Sequence, residues 1–263
     1  MKSGKRVIAA MLTALMTVTF TANTAVSVYA TGVTATENAQ TTDAQSTDAQ
    51  ALTPEEQKAQ ELQQVYDMPV ESNGYKDWPQ GPGTYGEAGI VMEVGTGAIL
   101  YAKNIDAHEY PASITKVLTA LVALENGQLT DNVTFSHDSV AFLQRGDSSV
   151  GLKEGNVITL DQAMHAMLLA SANEAAYAIG ESVGVNAGHD YNWFIEQMNS
   201  RCKELGGENS NFANTNGLHD PNHYTCARDM ALIGRELFKH PEFFQIVQTL
   251  NYTIPASETT EEH

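Results

Sequence analysis

Apolar positions follow two rhythms along this chain. From Ala88, the runs AGIVMEV and AILYAKN flank a Gly-Thr-Gly turn and read as two strands of an antiparallel hairpin. Beyond residue 109 the apolar spacing becomes three and four, and helices are expected. The first follows Pro111 in EYPASITKVLTALVALENG (109–127). Residues 160–184 form two helical segments interrupted at Ser171-Ala172-Asn173. In 190–206, Trp193, Phe194, Met198 and Leu205 keep helical spacing and Gly206 ends the helix. A further helix covers 225–240, with Thr225 as its cap and Pro241 beyond its end. VTFS and NVITL read as short strand or loop pieces. Met164, Met167 and Leu168 form a core stripe, and Trp193 with Phe194 and Phe243 with Phe244 read as core contacts. The pattern is mixed, a strand pair and then helices. Because an isolated hairpin is rarely stable, this one is expected to belong to a larger sheet, although no further convincing strand precedes His263.

The N-terminal region departs from both rhythms. A basic start, MKSGKR, precedes the apolar run VIAAMLTALMTVTF, too short for a comfortable membrane span, and Val28-Tyr29-Ala30 resembles a small-residue cleavage site. Residues 1–30 therefore read as a secretory signal peptide cut after Ala30, which places the mature chain outside the cytoplasm. Residues 31–77 read as a disordered, low-complexity linker in which TDAQ occurs twice, and 78–263 as the catalytic domain. Within the linker, 53–66 is able to form a short helix with Thr53 as cap and Pro54 at its first position. The formal charge of −18 becomes more negative once Lys2, Lys5 and Arg6 are removed, which makes nucleic acid an unsuitable partner. Two cysteines, Cys202 and Cys226, make no disulfide framework and read as small buried residues.

Candidate chemistry begins at Ser113 and Lys116. Three apart on a helix, they face the same way. A lysine held neutral by burial near a helix N-terminus can take the serine proton, and free N–H groups there can hold an oxyanion. The plainer alternative is a capping serine and a surface amine. Ser171 and Asn173, two apart at the break between helices, could project a hydroxyl and an amide into one cleft; a helix cap explains them as well. S-x-x-K followed by S-x-N is the signature of penicillin-binding serine enzymes. With the blocks GIVMEVGTGAILYAKN, VGLKEGNVITLDQAMHAMLLASANEAAYAIGE and NFANTNGLHDPNHYTCARDMALIGREL, the chain resembles the D-alanyl-D-alanine carboxypeptidase family over roughly 86–250.

The resemblance implies an α+β, β-lactamase-like transpeptidase fold, with a helical cluster packed on an antiparallel sheet. It implies catalytic roles for Ser113 as nucleophile, Lys116 as base and Ser171 as proton relay, with Asn173 binding the substrate amide and the Ser113 N–H as one oxyanion donor. The implied partners are peptidoglycan stem peptides ending in D-Ala-D-Ala and β-lactams that trap Ser113. No cofactor or metal is implied, and membrane contact would come only through a C-terminal anchor not present in this sequence. The family's third motif, K-T-G or K-S-G, does not occur here, so the sequence reads as C-terminally truncated and short of sheet strands. Two other readings use the same motifs. A class A β-lactamase would need E-x-x-L-N, for which Glu208–Asn211 is the nearest string; a non-catalytic penicillin-binding sensor or remnant would need neither. His219, Asp220 and His223 form a loose cluster better explained by a polar loop than by metal. The expectation is a chain that folds poorly alone and turns over little substrate. Cooperative melting together with turnover of D-Ala-D-Ala peptides is the outcome that overturns it.

Overall fold

The computed structural model describes residues 52–263; the expected signal peptide and the linker up to residue 51 lie outside them. Helix α1, Pro54–Tyr66, begins at the Thr53 cap the sequence suggests, which the structure completes as a capping box: Thr53 Oγ1 accepts from the Glu56 amide, and the Glu56 carboxylate accepts from the Thr53 amide. Strands β1 (Gly89–Met92) and β2 (Ile99–Lys103) then form the hairpin, antiparallel with a bulge between Val91 and Met92. Its turn is closed by Glu93, whose carboxylate accepts from the Gly95 and Thr96 amides, while Gly97 takes the left-handed conformation.

A single 3-10 turn, Ala112–Ile114, leads into α2 (Thr115–Asn126). Strands β3 (Asn132–Thr134) and β4 (Val157–Thr159) pair antiparallel on either side of the short α3 (His137–Ala141). Helices α4 (Leu160–Leu169) and α5 (Asn173–Asn186) are separated at the S-x-N residues, as their sequence indicates. Helix α6 (Tyr191–Glu204) is capped by Asp190, and α7 (Ala227–Leu237) and α8 (Pro241–Val247) follow. The class is α+β.

Helix α2 is the centre of the core and packs against α4, α5, α6 and α7. Leu118 and Leu121 of α2, Met164 and Met167 of α4, Ile179 of α5, Phe194 and Met198 of α6 and Ile233 of α7 are completely buried. Trp193 and Leu168 pack on this core from its margin. Cys202 and Cys226 are free, buried thiols, and burial pushes each up to about 11.

Three expectations need correction. The linker expected over 31–77 is structured in its described part. Beyond α1, a 3-10 turn at Glu71–Gly74 places Ser72 Oγ to accept from the Ala102 amide, and the buried Lys103 ammonium donates to the carbonyls of Val65 and Thr84, both at 2.6 Å. No residue of α1 is buried, so hydrophobic periodicity could not reveal a segment held by polar contacts. Among the described residues the hairpin is a two-stranded sheet, in keeping with the expected antiparallel sheet short of strands. It is supported by that segment on the β2 side and by Arg235 of α7, which donates to the Val94 and Gly95 carbonyls of its turn. The α7 cap is Cys226, one residue after Thr225, and its sulfur accepts from the Asp229 amide. Finally, Phe243 joins the core, whereas Phe244 is 38% exposed and stacks on Phe238.

Leu121→Ala removes a fully buried side chain from the central helix and is expected to cost roughly 2–5 kcal/mol. Leu250→Ala, at a side chain 94% exposed, should stay within about 0.5 kcal/mol. Urea midpoints at constant slope read both.

Candidate active site

Two breaks in helical structure meet at one point. The 3-10 turn before α2 carries Ser113, exposed, and the first turn of α2 carries Lys116, buried. The break between α4 and α5 carries Ser171 and Asn173. Ser171 Oγ lies 2.9 Å from Ser113 Oγ, and Lys116 Nζ lies 3.1 Å from Ser113 Oγ and 2.8 Å from Asn173 Oδ1. The four residues singled out in the sequence are thus brought together. Both breaks use unfavourable backbone: Ala112 has φ +47° and Ser171 φ +56°, left-handed values that residues with a Cβ adopt at a cost.

A third segment completes the arrangement. The carbonyl of Asn216 accepts from Lys116 Nζ at 2.7 Å. Its loop is held to α2 by Thr119 Oγ1, which donates to the Thr215 carbonyl at 2.7 Å, and to α6 by Tyr191, whose hydroxyl accepts from the Thr215 amide. Gly217 takes φ +85°, and a Cβ there would overlap the Ala112 carbonyl, so the loop lies against the turn that presents Ser113. Lys116 therefore faces three oxygens. As an ammonium it donates to all three. As a neutral amine its two N–H groups satisfy Asn173 Oδ1 and the Asn216 carbonyl, and the lone pair is left for the Ser113 hydroxyl. Burial brings Lys116 down to about 8, against an opposing pull from the Glu174 carboxylate.

Comparison with known proteins decides the family. A family profile described as D-alanyl-D-alanine carboxypeptidase matches residues 79–261. The chain belongs to the D-alanyl-D-alanine carboxypeptidase family. It is 34% identical over 170 residues to the D-alanyl-D-alanine carboxypeptidase DacA of Haemophilus influenzae, covering 62% of this chain and 42% of that protein. It is 32% identical over 168 residues to DacF of Bacillus subtilis, covering 62% of this chain and 41% of that one. The chain thus spans under half the length of these relatives. Among solved structures, a mutant of the Streptomyces K15 DD-transpeptidase superposes with a TM-score of 0.61 at 29% identity, covering 66% of this chain and 70% of that one. Penicillin binding protein 5 of Haemophilus influenzae gives 0.60 at 31% identity, over 67% and 52%.

Within this family framework, the remaining sequence candidates have local partners. Among the described residues no group of three or more His, Cys, Asp or Glu side chains is placed to hold a metal ion. His219 stacks edge-on against Tyr110, and Asp220 Oδ1 accepts from the Asn222 amide. His223 is buried: the Ala213 amide donates to its Nδ1, which leaves Nε2–H to donate to Thr115 Oγ1 at 2.7 Å, one residue from Lys116. Glu208–Asn211, the nearest approach to a β-lactamase water-activating element, is tied elsewhere: the Asn209 amide and Ser210 Oγ donate to Asp229. Sequence reading missed Asn216, Gly217 and the role of His223. The Asn-Gly pair at 216–217 was the available signal, a turn marker without a stated target.

Burial pushes His223 down to about 4. The unfolded chain then binds a proton that the folded state refuses, so the contribution of His223 is present above about 6.5 and is lost as pH falls towards about 4. Melting temperature should decline across that window, and His223→Gln should flatten the decline.

Proposed function

We propose that this chain is the catalytic part of a serine D-Ala-D-Ala carboxypeptidase that trims peptidoglycan stem peptides through an acyl-enzyme on Ser113. The observation that carries this reading is Lys116 Nζ, held by Asn173 Oδ1 and the Asn216 carbonyl with its third direction on Ser113 Oγ. Family membership supports the substrate class. In the reaction, neutral Lys116 accepts the Ser113 proton as Oγ attacks the carbonyl of the penultimate D-Ala, and the Ser113 N–H donates to the oxyanion. Ser171 Oγ, 2.9 Å from Ser113 Oγ, returns a proton to the departing D-Ala amine. Asn173 orients the substrate amide through its side-chain N–H groups while Oδ1 stays on Lys116. Water then releases the shortened peptide. The same attack opens a β-lactam ring and leaves a stable ester on Ser113.

The supporting electrostatics are specific. A lysine titrating near 8 is roughly one-tenth neutral at pH 7, enough to act as base and still able to hold the proton it takes. The reading also includes export through residues 1–30, cleavage after Ala30 and action on the outer side of the cytoplasmic membrane. No described helix is long and apolar enough to cross a membrane. N-terminal sequencing of the exported protein tests the cleavage position.

A fluorescent penicillin should label the chain at Ser113. Labelling should rise with pH and level off above about 8. It should vanish in Ser113→Ala and fall at least about a hundredfold in Lys116→Ala, as expected for loss of a general base. A label that persists in Ser113→Ala, or folded protein that takes none, overturns the reading.

A further inference from the structure

Glu174 is completely buried in the first turn of α5, beside Asn173, and no step above uses it. Its Oε1 gathers three donors from one loop: Ser149 Oγ at 2.7 Å, the Val150 amide at 2.8 Å and the Gly151 amide at 3.2 Å. The same loop returns a bond to the motif, since the Ser148 carbonyl accepts from the Asn173 amide at 2.9 Å. Ser171 and Gly151 both take left-handed backbone, with φ +56° and +83°. Glu174 Oε2 has no hydrogen-bond partner among the described residues, although it too is buried.

A loop anchor needs acceptors but no charge; a glutamine oxygen would serve. Burying a carboxylate with one oxygen unpartnered is costly, and it persists where the charge has a task. Glu174 directly follows Asn173, whose Oδ1 accepts from Lys116 Nζ at 2.8 Å. The Glu174 carboxylate opposes the lowering that burial imposes on Lys116; the other titratable groups on the elements that meet there are Glu125 on α2, Tyr177 and Glu181 on α5, and His219, Asp220 and His223 in the loop that supplies the Asn216 carbonyl. His223 is held neutral by burial.

We propose that Glu174 is a positioning residue for acylation, which clamps loop 148–151 beneath the Ser171–Asn173 turn and sets its negative charge against the Lys116 ammonium. The clamp keeps Asn173 Oδ1 and Ser171 Oγ aimed at Lys116 and Ser113. The charge limits how far burial lowers the lysine, so that Lys116 can hold the proton it takes from serine. The catalytic meaning rests on the acyl-enzyme reading; the clamp and the charge do not.

The test uses the full 263-residue chain with isotopically labelled lysine, the Lys116 signal being assigned by its loss in Lys116→Ala. In Glu174→Gln, which keeps an oxygen for the loop and removes the charge, the Lys116 titration midpoint should fall by about half a unit or more. The acidic limb of penicillin acylation should move with it, while the Val150 and Gly151 amides stay protected from hydrogen exchange. In Glu174→Ala those amides should exchange about tenfold faster or more, and acylation should drop by a similar factor. An unchanged Lys116 midpoint in folded Glu174→Gln overturns the proposal, as does a folded Glu174→Ala with protected amides and the parent's acylation rate. Should Glu174→Ala fail to fold, the glutamine variant still decides. A parent chain that takes no penicillin counts against the acyl-enzyme reading alone, because titration and amide exchange need no substrate.

Discussion

The arrangement of this molecule depends on one buried amine. An ammonium removed from water is tolerated only if its N–H groups find acceptors, and Lys116 finds three. Each comes from a different stretch of chain: the turn before α2, the start of α5 and the loop at 214–217. Satisfying Lys116 therefore obliges three distant segments to converge, and the convergence is the site. One acceptor is a carbonyl in a stapled loop, one is an amide oxygen on a residue whose backbone is tied to Ser148, and one is a rotatable hydroxyl, so the lone pair of the neutral amine has one chemically useful destination.

The backbone around Lys116 is shaped to make this convergence hold. Ala112 and Ser171 occupy left-handed conformations at the two turns that carry the hydroxyls, and Gly217 lies against the Ala112 carbonyl. Strain of this kind, of order 1–3 kcal/mol at each residue, survives only where surrounding structure over-determines it. Here the surroundings are the rigid α2 core on one side and a set of polar staples on the other. Thr119 and Tyr191 hold the 214–217 loop, and His223 reaches Thr115 from the far end of the same stretch. Helix α2 joins both roles: its apolar face is the centre of the core, and its first turn presents the amine.

Much of the fold was legible because it obeys local rules. The hairpin, α2 and the helices from α4 to α7 follow from apolar spacing, from Gly and Pro punctuation and from capping residues, all of which act within a few positions. The exceptions are informative. The cap and start of α1 were legible, but the docking of residues 65–72 was not, because polar contacts to Lys103 and Ala102 hold that stretch. The α7 cap moved one residue because Cys226 used its sulfur where a threonine oxygen stood next door. Phe244 faces outward beside its buried neighbour because a seven-residue helix on the surface of α4 offers only one face to the core.

The sequence by itself determined the two motifs, Ser113 with Lys116 and Ser171 with Asn173, the helical segments that carry them and the family they belong to. Periodicity and residue type determine these because both act over three or four positions. Tertiary structure alone decided that Lys116 is buried and that its other acceptors are Asn173 and the Asn216 carbonyl, 57 and 100 residues along the chain. It also decided that His223 bonds the helix that carries Lys116 and that Glu174 is enclosed beneath the Ser171–Asn173 turn. A hydrogen bond to a backbone carbonyl leaves no mark on the residue that supplies it. The charge state of a lysine depends on the water excluded around it, and that exclusion exists only once the distant segments have closed.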